Sequence, residues 1–507
     1  MRNILETYPN YHAELEDIRQ NGLRMETLKQ IILRHAGNAS KSRRLYDRYQ
    51  TLDYAVPIYN RAPRFESEAE AINNKVMNDF FSEIIETKVG YFAGNPVTYG
   101  YSETKESQEV TGGELAVKAA QKAITDFTVL NNMHDVDIET TKLASICGYA
   151  GRLFYIDSEG QERALVCLPW EVIVLSDSSI MEPEFAIRYL KLQDLNGCDY
   201  YHVDFYDSKN ITSYEGSSID SLKKIYTRPH LFDYCPLQAV PNNLEMMGDT
   251  ERVEELIDAY DNAVSDANNE IESFANAYMV FENVNLDDEE IAKAQKSGAI
   301  KFYTGGGNGR VYFLTKQTND GFIEHHLDRL QENIYRFSKT PDLSSDSFGT
   351  SSGIALKFKI LGLETKCGMF EAKIKTANIY MFKLLASSWA KKRVFVDPLQ
   401  CTMEFSRNFP LDLASEANTC ATLINCGLPK QVAFSQLSFI DDVDYVMELI
   451  EQEEDGIPKL DAPDPEEEQN KYQETEEKKP EKEVEEEGEG ENEIEENKQS
   501  SVRVLFV

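Results

Sequence analysis

The stretch DTERVEELIDAYDNAVSDANNEIESFA, residues 249–275, decides how the chain is read. Val253, Leu256, Tyr260, Val264, Ala267, Ile271 and Phe274 recur every three or four residues, the period of one helix face. Asp249 is placed to cap the N-terminus, and Glu251 suits the first turn. The apolar stripe is narrow and the rest is polar. Such a helix packs along neighbouring helices more readily than inside a deep core.

Moving toward the C-terminus, residues 278–316 read as a compact β-containing insertion. Phe302-Tyr303 and Val311-Tyr312-Phe313 flank Gly305-Gly306-Gly307-Asn308-Gly309, and Asn-Gly is a strong hairpin signal. A second long helix is expected at 320–338, carrying Ile323, Leu327, Leu330, Ile334 and Phe337. Two long helices bracketing a small β-module make a stalk with a tip. Thr340 to Gly353 is then a loop of small polar residues bounded by Pro341 and Gly353. At fourteen residues it exceeds the usual helix–helix link of about 2–8 residues, which points to a function. A helix of over thirty residues is expected from about 354 to 390. Residues 411–455 give two or three short helices joined at Gly427-Leu428-Pro429.

Toward the N-terminus the pattern changes. Residues 1–60 read as helical and polar. Residues 66–92 read as one amphipathic helix with Ile72, Val76, Phe80, Ile84, Ile85 and Val89 on one side, stopped by Gly94-Asn95-Pro96. A β-like Val97-Thr98-Tyr99 follows, and 114–147 is helical again. From 150 to 240 short β-rich runs (152–156, 171–175, 185–190, 200–205) alternate with turns such as Asp157-Ser158-Glu159-Gly160. This predicts a mainly antiparallel sheet with helices beside it. The fold class is α+β, mainly α.

The 507 residues suggest about three domain-sized units and enough apolar residue, 41%, for several cores. The net charge of −36 is uneven. Residues 451–500 hold 22 Asp/Glu against 6 Lys/Arg, a net of −16, leaving about −20 on the rest. Residues 456–500 are expected to be disordered, and the apolar end, Val502 to Val507, is a candidate docking peptide. Tight binding of DNA over a whole surface needs clustered Lys and Arg. An acidic body can still surround a duplex and let it slide. The eight scattered cysteines form no C-x-x-C pair and read as reduced, mostly buried thiols. With no apolar h-region and no long apolar run, the chain is expected in a cytosol-like compartment, not a membrane, with Asn38 and Asn210 in chance sequons.

Motifs that would carry catalysis are weak. Gly305–Gly309 lacks the Lys-Ser/Thr and following helix of a phosphate loop. His325-His326 point about 100° apart on a helix and do not make an i, i+4 metal pair. Carboxylate pairs such as Asp441-Asp442 are common in so acidic a chain. No G-x-S-x-G elbow occurs. The reading is no catalytic residues, no metal, no cofactor and no enzyme.

Four stretches carry a resemblance. Val89-Gly90-Tyr91-Phe92-Ala93-Gly94-Asn95-Pro96-Val97 looks like a "YLxGxPV" segment. Asn242-Asn243-Leu244-Glu245 through Leu256-Ile257-Asp258-Ala259-Tyr260-Asp261 looks like "NNxE…LIDxYD". Ser273-Phe274-Ala275-Asn276-Ala277 continues that helix, and Ser351-Ser352-Gly353-Ile354-Ala355-Leu356-Lys357 resembles "SGxAL". In this order they resemble the portal proteins of long-tailed phages that infect Gram-positive bacteria, over about residues 60–455.

The resemblance implies a portal fold. After an N-terminal segment, 1–25, come an α/β wing, 26–240, a first stem helix, 241–277, and a small β-containing clip, 278–316. A second stem helix, 317–340, a tunnel loop, 341–353, and a long helix shared with the wing, 354–390, follow. A helical crown, 391–455, and an acidic tail, 456–507, end the chain. It implies a ring, twelvefold in the family, at one capsid vertex of the virion, assembled in the host cytoplasm. Double-stranded DNA passes through it. Its partners are the terminase large subunit, a head-completion or adaptor protein, scaffold and major capsid protein. Asp342, Ser344, Ser345, Asp346, Ser347, Thr350 and Ser351 would face DNA, with Gly349 and Gly353 as hinges. Asn285, Asp287, Asp288, Asn308 and Arg310 would dock partners on the clip. The bore has no Lys or Arg among residues 340–356, and Lys357, Lys359 and Arg329 are the nearest compensating charges. Two other readings stand beside this one. One is an acidic helical scaffold or adaptor with no DNA channel. The other is a hydrolase with a carboxylate site in the 150–240 sheet.

Overall fold

A computed structural model describes residues 11–63, 72–102, 108–109, 112–176, 182–275, 278–282, 310–314, 320–343, 353–408 and 413–435, with scattered positions to 450. The chain divides after Leu411 into two compact units. The first opens with α1 (His12–Asn21) and α2 (Met25–Tyr49), then α3 (Phe80–Ala93) and β1 (Thr98–Tyr101). Next come α4 (Glu114–Leu130) and α5 (Met133–Cys147), β2 (Tyr149–Ile156), β3 (Glu162–Cys167), β4 (Val172–Leu175) and β5 (Phe185–Gln193). They are followed by β6 (Asp199–Tyr206), β7 (Asn210–Gly216), β8 (Lys223–Pro229) and β9 (Leu237–Pro241). Then follow α6 (Glu254–Ala275), β10 (Tyr278–Glu282), β11 (Arg310–Leu314), α7 (Asp320–Ser338), α8 (Gly353–Lys359), α9 (Leu361–Lys391) and β12 (Cys401–Glu404). The fold is α+β with helix predominating.

The β region is two antiparallel sheets, not one. Strands β4 to β8 form a five-stranded meander in chain order, and β3-β2-β9 form a three-stranded sheet. The meander buries Ile173, Leu175, Ile187, Val203, Phe205 and Tyr214 against Leu28, Ile31 and Ile32 of α2. Alternate residues of a strand face one side, so one face of the meander is enough to cover the helix.

The 31 residues of α9 cross two cores. Leu363, Cys367, Phe370 and Ile374 pack with Phe92, Leu143 and Val240. Farther along, Met381, Leu384, Leu385 and Trp389 pack with Ile124, Phe127 and Phe154. Between them, Arg152 is fully buried on β2 and donates to Asp137 (2.5 Å), Asn378 (2.7 Å) and Thr140 (2.8 Å). The Tyr99 hydroxyl donates to the other oxygen of Asp137 at 2.6 Å. A buried ion pair is tolerable only when its remaining polar atoms are also satisfied, and this set does so.

Several expectations are corrected. The helix expected at 66–92 begins only at Phe80, where the Asp79 side chain accepts from Ser82 N (3.2 Å) and caps it. Residues 72–79 run non-helically along α6. Their amides are taken by its side chains: Asn74 N by Asn269, Val76 N by Ser265 and Asn78 N by Asp261, at 2.7–2.9 Å. The expected long helix from 354 is interrupted at Ile360. Residues 391–408 belong with the first unit, since β12 pairs with β1 from Thr98↔Glu404 to Tyr101↔Cys401. Compactness therefore changes after 411 and not at 391.

The second unit contains α10 (Leu413–Asn425) and α11 (Lys430–Phe434), linked through Gly427-Leu428-Pro429 as expected. Cys420, Ala433 and Leu437 form its small core. All eight cysteines are free thiols, and only Cys198 and Cys426 are exposed. Among the described residues no helix is long and apolar enough to cross a membrane, and no group of His, Cys, Asp and Glu is placed to hold a metal ion.

Candidate channel elements and the loop root

The first long helix does not start where the sequence suggested. Asp249 is not a cap. Its backbone N–H donates to Ser145 O (2.7 Å) at the end of α5, and its carboxylate is buried against Lys88 Nζ (2.9 Å). Lys88 is itself fully buried, donates to Asn242 Oδ1 (2.6 Å) and lies 4.7 Å from the Phe370 ring centroid. Burial works to raise the Asp249 carboxyl. Lys88, Lys366 and the hydrogen bonds outweigh it and hold the group below its ordinary value. The approach is close at two glycines. A Cβ on Gly248 would lie 2.2 Å from Ile146 O, and one on Gly148 (φ +92°) would lie 2.1 Å from Met246 O.

From this root α6 rises with Val253, Ile257, Asp261 and Ser265 buried, an i, i+4 row. That row is not the expected apolar stripe. Leu256, Tyr260, Val264 and Ala267 are only half-buried and Ile271 is exposed. The buried row faces α3 and residues 72–79. Acidic groups on α6 also meet a basic row on α2. Lys41 pairs with Glu251 (2.6 Å), Arg44 with Glu254 (3.1 Å) and Arg48 with Asp258 (2.5 Å), and Arg61 beyond α2 pairs with Asp266.

The companion helix α7 packs beside α6 at its lower end. There Phe80 sits edge-on to Tyr260 (5.0 Å) and Tyr335 (5.7 Å). Leu330 and Ile334 are buried, whereas Phe337, expected on the same stripe, is half exposed. His325 and His326 are exposed on α7. At the far end β10 pairs with β11 from Tyr278↔Leu314 to Glu282↔Arg310. Val311–Phe313 is thus a strand as expected, while Phe302-Tyr303 and the glycine run lie outside the described residues.

α7 ends with Lys339 at φ +59° and Thr340 N donating to Tyr335 O (3.1 Å), a left-handed C-terminal turn followed by Pro341. The Tyr335 hydroxyl donates to the Glu83 carboxylate at 3.0 Å. Burial pushes the Glu83 carboxyl up, and nearby Asp342 and Asp79 add to this. Asp342 therefore starts its loop beside another acid. Of the expected channel-facing residues, only Asp342 is described; Ser344, Ser345, Asp346, Ser347, Thr350, Ser351 and the hinge Gly349 lie outside the described residues. Gly353 is the first residue of α8. Of the expected clip contacts, Arg310 opens β11 and is exposed, and Asn285, Asp287, Asp288 and Asn308 lie outside the described residues. Arg329, Lys357 and Lys359 are exposed on helices.

A paired-helix stalk carrying a β-pair at one end and a loop root at the other is the arrangement on which the comparisons bear. The family described as "Phage portal protein, SPP1 Gp6-like" matches residues 28–459. The chain belongs to this family. The portal protein of Clostridium phage phiCD119 is 23% identical over 437 residues, 80% of this chain and 90% of that relative. The portal protein of Bacillus phage SPP1 is 24% identical over 405 residues, 75% of this chain and 76% of that relative. This portal chain has the head–tail connector role in phage DNA packaging, and its place is the capsid of the virion. The buried Lys88–Asp249–Lys366 junction was missed in the sequence. Asn242 in the "NNxE" stretch, which accepts from Lys88, was the only local signal of it.

Proposed function

We propose that twelve copies, side by side, form a ring whose stem is built from α6 and α7. In this reading the wing is 26–240, the clip 278–316, the tunnel loop 341–353 and the crown the part of 391–455 that follows Leu411. Duplex DNA passes through the ring, and the clip takes the terminase large subunit during packaging and a head-completion protein afterwards. Scaffold and major capsid protein meet its outside. Ring closure needs one surface pair repeated about an axis. The observation that carries the reading is the α6 row Leu256, Tyr260, Val264, Ala267 and Ile271, left half-buried to exposed while a different row is spent within the chain.

The chain itself is proposed to hydrolyse nothing. The loop residues Asp342, Ser344, Ser345, Asp346, Ser347, Thr350 and Ser351, hinged at Gly349 and Gly353, line the bore without Lys or Arg. Each tight phosphate contact would act as a salt-dependent brake. Asn285, Asp287, Asp288, Asn308 and Arg310 are proposed to dock partners on the clip. Negative-stain imaging of the purified full-length protein tests the reading. Perforated rings are the expected outcome. Filaments or small oligomers with no hole would favour an acidic scaffold, and compact monomers under every assembly condition would end the proposal.

A further inference from the structure

A cleft of about 300 Å³ opens where the roots of α6, α7 and α9 meet. Its charged lining is Asp249, Glu245, Lys366, Lys339 and Arg252, and Asn242, Asn243 and Ser338 add polar atoms. Asp249 is already committed to Lys88 at 2.9 Å. Lys366 is mostly buried, with its side chain 11% exposed, and lies 3.7 Å from Asp249, beyond a normal hydrogen bond. Its ammonium donates to Ser338 O at 2.9 Å, which leaves donors for the cleft, since an ammonium has three. Two buried ammonium groups thus share one buried carboxylate. At the mouth, Arg252 and Lys339 are exposed and neither pairs with a carboxylate among the described residues, while Glu245, the second acid of the lining, is exposed too.

A buried cation needs a counter-charge or loses its proton. Burial does press the Lys366 ammonium toward deprotonation. Yet the cleft around it is open and, although Met247, Phe337 and Met369 complete its lining, positively biased in a chain of net −36. We propose that the cleft is an oxyanion site that takes a phosphate group, with Lys366 donating from within and Arg252 and Lys339 closing on it from the mouth. Ser338 and Lys339 form the turn that launches the loop at 341, so an occupied site also fixes that turn. The site itself does not depend on the portal reading, and its phosphate has two sources: free phosphate or, on that reading, the backbone of DNA.

Full-length protein is titrated with inorganic phosphate, and with chloride at matched ionic strength, by calorimetry and thermal melting. Saturable phosphate binding below about 10 mM with a rise in Tm, absent with chloride, is expected. The variant Arg252→Gln/Lys339→Gly removes both mouth charges. Glycine favours the φ at 339, so the unliganded fold should hold. Its affinity for phosphate should fall at least tenfold. Lys366→Met should abolish binding, but it disturbs the core, so the mouth variant decides. No saturable binding by the parent protein, or undiminished binding by the mouth variant, overturns the site. A short duplex that displaces phosphate identifies backbone phosphate as the ligand; a duplex without effect identifies the free ion.

Discussion

At Asp249 and His35 single buried groups set measurable stability. Asp249 neutralises two lysines, so Asp249→Asn leaves Lys88 and Lys366 facing each other. Breaking a buried pair this way costs about 3–5 kcal/mol, and urea unfolding at neutral pH should show a loss of that order. An unchanged midpoint would mean that the Asp249 carboxylate does not hold this junction together. Because the Asp249 carboxyl is held below its ordinary value, its contribution is present above the unfolded carboxylate value and is lost as pH falls through the folded one. His35 lies between the hydroxyls of Tyr189 (2.9 Å) and Tyr149 (3.2 Å), and burial lowers it to about 4. The unfolded chain binds this proton first. Stability from a neutral His35 is therefore full above about 6.5 and drains as pH falls toward 4, by roughly 3 kcal/mol at about 1.4 kcal/mol per unit. In a urea series over that window, His35→Gln should flatten this part of the slope; an identical slope would show that other groups carry it. Neither residue was legible in sequence. An Asp ahead of an apolar period reads as a cap, and what overrode that reading was a lysine 161 residues away.

Elements were read well where one face does one job. The strands at 152–156 and 200–205, and the helices α6 and α7, lie where their patterns put them, although the row that α6 buries is not its apolar stripe. Errors came where a partner in space replaced local bonding. The amides of 74, 76 and 78 are satisfied by Asn269, Ser265 and Asp261 on α6, so Ile72 and Val76 at helical spacing did not become helix. The same exchange explains why polar Asp261 and Ser265 occupy the buried row. A matching signal did exist in the sequence: basic residues at 41, 44 and 48 repeat at the spacing of acids at 251, 254 and 258. Asp261→Ala removes the acceptor for both Asn78 N and Asn78 Nδ2. Leaving such donors unmet costs about 1–3 kcal/mol. Hydrogen exchange should then quicken at 74–78 with little change on β5 and β6. Uniform loss of protection would instead make the segment part of the global core.

For the whole molecule, charge and topology bear on one question: how an acidic body handles DNA. Family membership was legible because four short motifs keep their order over most of the chain, although the pairing of Cys401–Glu404 with β1 was not, since strand partners so distant in the chain leave no periodic trace. With about −20 outside the tail and a loop free of Lys and Arg, the assembled protein should bind duplex weakly. Each phosphate neutralised adds about −0.9 to the slope of log K against log salt, so a slope shallower than about −2 is expected. A steep slope, near −6, would mean a gripping surface and not a sliding one. Shortening 343–349 separates grip from passage. The loop root is held by Tyr335, Glu83 and the Lys339 turn, all outside the deleted span, so assembly should survive. If, as proposed, this loop meets the duplex, packaging or retention of DNA should fail by tenfold or more. If the shortened protein no longer assembles, the loop is part of the contact between neighbours and the bore must be lined by something else.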